Sequence, residues 1–287
     1  MHVVGLVLHP ERDCGGAVGS VLDWAHRRGI RVLGLVDELR RVPCTAEAVT
    51  AEELRLVADL LVSLGGDGTM LRAMRLADSQ RFPVLGVNLG KLGFLAEVDV
   101  PDLPGALSAI DGHAFTTEPR LAVDAVIGDQ TITAFNDIAF VRYPGQKIAA
   151  IAVRAAGRGF VSYAADALVV ATPTGSTAYS FSAGGPIVSP AVEALLVTPV
   201  APHSAYNRGL VISCADELGL DVLPSSGALA VEADGNLAAT VGPGDRIELV
   251  PRPGAAQVVR LGRTTFYERA RRKLRLADSA ELPVGWP

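Results

Sequence analysis

Residues 59–76 read DLLVSLGGDGTMLRAMRL: a short apolar run, a turn with three glycines in four positions, then a stretch with helical spacing. Asp59 to Leu64 reads as a buried strand and Met70 to Leu76 as the body of a helix. Gly65, Gly66 and Gly68 leave backbone N–H groups unobstructed between the two, and the helix N-terminus adds its partial positive charge. With Thr69 they form a turn suited to a chain of phosphates. A strand-to-helix turn of this kind lies where open α/β sheets bind their ligands.

Asp67 is the odd residue of the turn, because a carboxylate among anion-binding amides repels phosphate. It either caps the helix that follows, takes a proton from an attacking hydroxyl, or holds a divalent ion. The turn is not a phosphate loop of the GxxxxGK[ST] type, and it does not match GxGxxG.

On either side of this stretch the same alternation repeats. Val3 to Leu8 is a continuous apolar run, a helical stretch through Val21, Leu22 and Trp24 ends near Arg28 and Gly29, and Arg31 to Val36 repeats the strand signature. Glu52 to Val57 can be helical, and Pro83 to Asn88 is again strand-like. Strand–helix alternation implies a parallel, doubly wound, Rossmann-like sheet with helices on both faces. From about Pro119 the texture changes to short β-prone runs separated by Gly, Asp or Pro: 121–127, 131–135, 138–142, 148–155, 168–171, 209–213, 229–233 and 245–250. The expected organisation is therefore an α/β domain over 1–118, a β-rich domain over 119–262, and a helix and tail over 263–287 that packs back on the first domain. The basic run Glu268 to Arg275 reads as a solvated helix face, with steering of an anionic nucleotide as the functional alternative.

With 49% apolar residues, the 287-residue chain can build two ordinary cores. A net charge of −5 argues against a broad basic surface, so no nucleic-acid partner is expected. Cys14, Cys44 and Cys214 show no metal-ligand spacing and the five histidines form no HExxH, so no protein-held metal cluster is expected. The apolar opening stops at His9-Pro10, too short to span a membrane and without a basic leader. A cytoplasmic protein with no membrane contact is the expectation.

The longest polar motif is DALVVATPTGSTAYSFSAGGPIV, residues 166–188. A buried strand runs into a turn rich in hydroxyls that can bond ribose and phosphate oxygens, then into a second turn at Gly184-Gly185-Pro186. Ser176 lacks a GxSxG context and a sequence cue for a partner histidine, so a serine hydrolase is disfavoured.

In order and spacing, GGDGT, Phe135-Asn136-Asp137 and residues 166–188 resemble the NAD kinase family over nearly the whole chain. GGDGT alone is shared with diacylglycerol, sphingosine and 6-phosphofructokinase relatives; TPTGSTAYSFSAGGPIV is the discriminating match. Gly86 to Leu95, Pro202-His203-Ser204 and Asp234-Gly235 match as well. The resemblance implies an N-terminal α/β domain, a C-terminal β-rich domain carrying the NAD site, and a homodimer or homotetramer. It also implies phosphorylation of the adenosine-ribose 2′-hydroxyl of NAD, with ATP or polyphosphate as donor and Mg²⁺ or Mn²⁺ as divalent metal. Asp67 matches the general base, and Gly65, Gly66, Gly68 and Thr69 the phosphate turn. Asn136 and Asp137 match the acceptor-holding pair, Asp166 an acid near the nicotinamide, and Thr174, Thr177, Ala178 and Tyr179 the NAD-lining turn. Phe94 matches an aromatic of the same pocket.

Two positions depart from the family pattern: Asp137 stands where Glu is usual, and Ala167 where Gly is. These motivate the alternative of a related kinase for another nucleotide or nucleoside. A lipid kinase is disfavoured because no basic amphipathic segment marks a membrane-facing surface. A non-catalytic NAD sensor has no use for Asp67.

Overall fold

The computed structural model describes residues 1–78, 80, 82–90, 93–203 and 206–276. Of the motif residues quoted above, Lys91, Leu92 and Ser204 lie outside the described residues, as does the tail from residue 277. Backbone packing divides the chain into two units. The first comprises Met1–Met70, Leu85–Thr116 and the segment from Val259; the second comprises Leu71–Val84 and Thr117–Val258.

In the first unit, β1 (Val3–Leu8), β2 (Arg31–Leu35), β3 (Glu47–Val49), β4 (Leu60–Gly65) and β5 (Pro83–Asn88) follow the order β5-β4-β1-β2-β3. β1 runs parallel to β2 and β4, and β2 parallel to β3. The connections are α1 (Gly15–His26), α2 (Val36–Leu39), α3 (Ala51–Val57) and α4 (Asp67–Ala77), with β6 (Val98–Asp99) and α5 (Leu103–Asp111) following. All six residues of β1 are buried because both of its faces are covered. Val4, Leu6 and Leu8 pack with Val18, Val21 and Trp24 of α1 and Leu103 and Leu107 of α5, while Leu54 of α3 presses on Gly5 from the other side. Full burial of each such aliphatic side chain stabilises the unit by roughly 1.5–3 kcal/mol. The sheet order reverses between β1 and β4, so the loops leaving Leu8 and Gly65 open the crevice where sheets of this class bind ligands.

The second unit is antiparallel. One sheet has the order β14-β13-β12-β9-β16-β17, with β9 at Asp137–Arg142, β12 at Ala167–Ala171, β13 at Ala194–Val200, β14 at Leu210–Ser213, β16 at Leu229–Ala233 and β17 at Asn236–Val241. Facing it in the core are β10 (Ala149–Ala155), β11 (Arg158–Ala165), β15 (Leu218–Val222) and β18 (Arg246–Arg260), in the order β11-β10-β15-β18, with the hairpin β7 (Thr116–Ile127)–β8 (Gln130–Ala134) on β18. Ile151, Val153 and Leu220 meet Ile138, Phe140, Val170 and Val231 in one apolar cluster. Strand β18 runs on to Arg260, where the sequence implied an end at Val250, because Pro251 and Pro253 interrupt its propensity and not its course. Asp234-Gly235 closes the β16–β17 hairpin, with φ of +48° and +78°, the two-residue turn whose twist matches the flanking strands.

Candidate active site

The residues singled out from the sequence fall into two clusters, one in each unit. In the first unit, Asp67 is the first residue of α4. Its carboxylate reaches to the segment after β5. Phe94 N–H donates to both carboxylate oxygens at 3.0 Å and Leu95 N–H to Oδ1 at 3.0 Å. That segment comes close because Gly93 has no side chain: a Cβ there would lie 2.2 Å from Asp67 Oδ1. Thr69 N and Met70 N both donate to Gly66 O, closing the first helical turn. Gly66 and Gly68 have nothing within 4 Å of a would-be Cβ, so the turn is open on that side.

The third donor to Asp67 was not among the sequence candidates. Lys273, near the end of α7 (Phe266–Leu274), places Nζ 2.9 Å from Asp67 Oδ2 and 4.4 Å from the centre of the Phe94 ring. The helix that carries it is firmly set. A capping box joins Thr265 and Glu268, and Arg269 is buried and donates to Thr264 O at 2.8 Å. Glu97 accepts N–H bonds from Leu261, Arg263 and Thr264, the lead into the helix. The basic run is thus not simply a solvated face. Its helical period puts Arg269 into the protein and Lys273 on a carboxylate 206 positions away, a pairing no local pattern reports.

In the second unit, Asn136 and Asp137 stand at the start of β9. Asp234 takes hydrogen bonds from the backbone N–H of Phe135, Asn136 (2.7 Å) and Asp137, and it pairs with Arg75 at 3.1 Å. A fully buried carboxylate therefore ties the β16–β17 turn to the loop before β9. Asp137 itself is 4% exposed. Burial, then the nearby Asp234 carboxylate, pushes the Asp137 carboxyl up to about 7; Glu232 adds to this and a backbone N–H from Tyr179 opposes it.

The hydroxyl-rich turn is largely spent on its own backbone. Thr172 Oγ1 donates to Phe135 O at 2.6 Å, Ser176 Oγ donates to Pro173 O and accepts from Val188 N–H, and Ser180 meets Thr198 at 3.0 Å. Thr174 is buried and accepts a long bond from Arg120, itself buried and paired with Glu118. Thr177 and Ala178 are half-buried, and Ala178 leads into the short helix α6 (Tyr179–Ser182). The half-buried Tyr179 phenol is pushed up by burial and by Glu232, Asp137 and Asp166, so it stays protonated and able to donate. Asp166 is half-exposed and accepts from Arg142 Nε at 2.6 Å.

The two clusters have opposite chemistry. The first offers open backbone amides and an ammonium around one carboxylate, an environment for phosphate beside a base. The second gathers Asp137, Asp166, Glu232 and Asp234, which favours hydroxyl and N–H donors over a triphosphate. Asp234 was noted in the sequence only as a motif match; Arg75 and Arg142 carried no signal. Among the described residues no group of three or more His, Cys, Asp or Glu side chains could hold a metal ion. No helix among them is long and apolar enough to cross a membrane.

Residues 26–113 match the family described as ATP-NAD kinase N-terminal domain, and residues 135–261 the ATP-NAD kinase C-terminal domain. NAD kinase 1 of Streptomyces avermitilis is 38% identical, covering 96% of this chain and 88% of that protein. The NAD kinase of Desulforamulus reducens is 35% identical over 96% of this chain and 98% of its own length. Among solved structures, yeast NADH kinase complexed with NADH superposes with a TM-score of 0.86 at 24% identity, over 99% of this chain and 90% of the other, a likeness of fold. An NAD kinase from Archaeoglobus fulgidus in complex with ATP gives a TM-score of 0.73 at 26% identity, over 95% of this chain and 98% of that one.

Proposed function

The chain belongs to the NAD kinase family, a family of phosphotransferases, and from that premise we propose that it moves the terminal phosphoryl group of ATP onto the adenosine-ribose 2′-hydroxyl of NAD, making NADP. The observation that carries this reading is Asp67, a carboxylate held by fixed backbone donors at the mouth of an open glycine turn. Phosphoryl transfer is mostly positioning and charge neutralisation, and the one proton to be moved is that of the acceptor hydroxyl. Asp67 takes that proton, and the turn of Gly65, Gly66, Gly68 and Thr69 holds donor phosphates. Asn136, Asp137, Asp166, Thr174, Thr177, Ala178 and Tyr179, with Phe94, hold the acceptor. The acid-rich character of the second-unit cluster supports a ligand that offers hydroxyls, an exocyclic amine and a cationic ring.

The divalent ion, Mg²⁺ or Mn²⁺, is proposed to arrive with the phosphates of the donor, as suits a cation that keeps few protein ligands. Polyphosphate is the alternative donor. A homodimer or homotetramer is also proposed. Its support is one large exposed apolar side chain on each of three edge strands: Phe160 on β11, Val211 on β14 and Leu237 on β17. The cytoplasm is proposed as its location, in keeping with three unpaired cysteines.

The test is incubation of the purified protein with Mg-ATP and, separately, NAD, NADH, adenosine and diacylglycerol, reading phosphorylated product by mass. NADP from NAD is the expected result. Phosphorylation of another member of the panel in its place would overturn the acceptor assignment.

A further inference from the structure

The two carboxylate oxygens of Asp67 each accept two hydrogen bonds, from different kinds of donor. Oδ1 takes the backbone N–H groups of Phe94 and Leu95, while Oδ2 shares the Phe94 N–H and carries the Lys273 ammonium. Backbone donors in a packed segment stay where they are. Oδ2 is therefore the oxygen that can take a hydroxyl proton, and Lys273 sits on it. The same ammonium lies against the face of Phe94. One side chain thus blocks both a base and an aromatic face, and it is a flexible one, about one-third exposed. An ion pair this exposed is weak, so an incoming anion can compete for the ammonium. The turn at 65–69 has no lysine or arginine of its own to meet a triphosphate.

We propose that Lys273 is an exchanging cation: its ammonium pairs with Asp67 in the free enzyme and passes to a phosphoryl oxygen when the triphosphate binds, uncovering Oδ2 and the Phe94 ring. This rests on the phosphoryl-transfer reading above. In the reaction the acceptor oxygen forms the new P–O bond, its proton goes to Asp67 Oδ2, and the bond between the terminal phosphorus and the diphosphate breaks. Lys273 neutralises charge on the phosphates throughout. Donor binding is then the event that arms the base.

The test is calorimetric titration of the full chain with a non-hydrolysable ATP analogue and Mg²⁺, without NAD. Lys273→Met should weaken binding about ten- to a hundredfold, the worth of a charge-assisted hydrogen bond, and Lys273→Arg should retain most of the affinity. Asp67→Asn should tighten binding, and should do so more with Lys273 present than in the Lys273→Met background. A residue that merely packed α7 would not produce that inequality. Should Lys273→Met fail to fold, Lys273→Gln takes its place in the same cycle. Wild-type affinity in the Lys273 variants, or an equal gain from Asp67→Asn in both backgrounds, overturns the proposal. Because NAD is absent from the titration, a chain that binds triphosphate this way yet makes no NADP overturns the acceptor assignment and leaves the exchange standing.

Discussion

Asp67 and Asp137 are the same side chain in two settings. The Asp67 side chain is 28% exposed, and N–H donors and an ammonium surround it. Asp137 is 4% exposed and lies beside a second buried carboxylate; burial first, and that neighbour second, push its carboxyl up to about 7. The setting decides what each can do: donors and a cation converge on the first, while the second trades protons near neutrality. On the proposed reading, the carboxylate that handles the moving proton is separate from the carboxyl that holds the acceptor.

The comparison breaks most visibly at Asp67. Asp67→Asn keeps the shape and removes the base, so kcat should fall by roughly 10²–10⁴ with the KM for NAD little changed. Near wild-type turnover would remove the base assignment, and a loss that rising Mg²⁺ restores would turn Asp67 into a metal-holding residue.

Next in size is a stability effect at Asp137. Its protonation range is raised from 3.8 to about 7 on folding. Between these values the folded chain keeps a proton that the unfolded chain has lost, so stability falls as pH rises through the window. Below about 4 the cost is absent; above about 7 it is complete. A shift of about three units at 1.36 kcal/mol each caps the cost at about 4 kcal/mol. Asp137→Asn should therefore gain stability on the parent as denaturant melts move from pH 5 to pH 8, and a pH-independent difference would remove the titration from Asp137.

A smaller effect should come from Gly93→Ala, whose methyl would lie 2.2 Å from Asp67 Oδ1. The carboxylate must shift, and misplacement of a catalytic group by about 1 Å can cost around 10²-fold in kcat; stopped-flow or steady-state turnover measures it. The smallest effect belongs to Asp137→Ala. Part of the carboxyl is protonated at neutral pH, so the lost hydrogen bond lies between a neutral and a charged one. The KM for NAD should rise about tenfold, more at pH 8 than at pH 6. A rise that does not grow with pH would place the working form of Asp137 as neutral throughout.

The doubly wound half was legible because its strands are buried on both faces and read as unbroken apolar runs; β1, residues 3–8, has the bounds its sequence implied. The β-rich half was legible in kind and only partly in detail. β13 carries Pro199 and still pairs in register with Leu168, so a residue that normally argues against a central strand hid one. β11 hid because its sequence, RGFVSYAA, scatters two aromatics and a valine among small and polar residues. α5 was screened by Pro101 and Pro104, which start helices as well as stop them. In the candidate site, motif residues were easy to find and their partners were not. Lys273, Arg75 and Asp234 act across long stretches of chain, and only the fold brings them to Asp67, Asp234 and Asn136. The hydroxyls were the reverse case: Thr172 and Ser176 look like ligand contacts in sequence, and the fold uses them as struts.

Those struts bear on how this site could be altered by selection or by engineering. At Gly175 a Cβ would lie 2.0 Å from Asn136 O, and Thr172 N–H and Oγ1 grip the carbonyls of Asn136 and Phe135. Substitutions at 172, 175 and 176 would change the scaffold before they changed the ligand. The half-buried Thr177 and Tyr179 carry no such duty toward Asn136. A library aimed at a new acceptor nucleotide belongs at those two positions, and drift among relatives with different acceptors should concentrate there too.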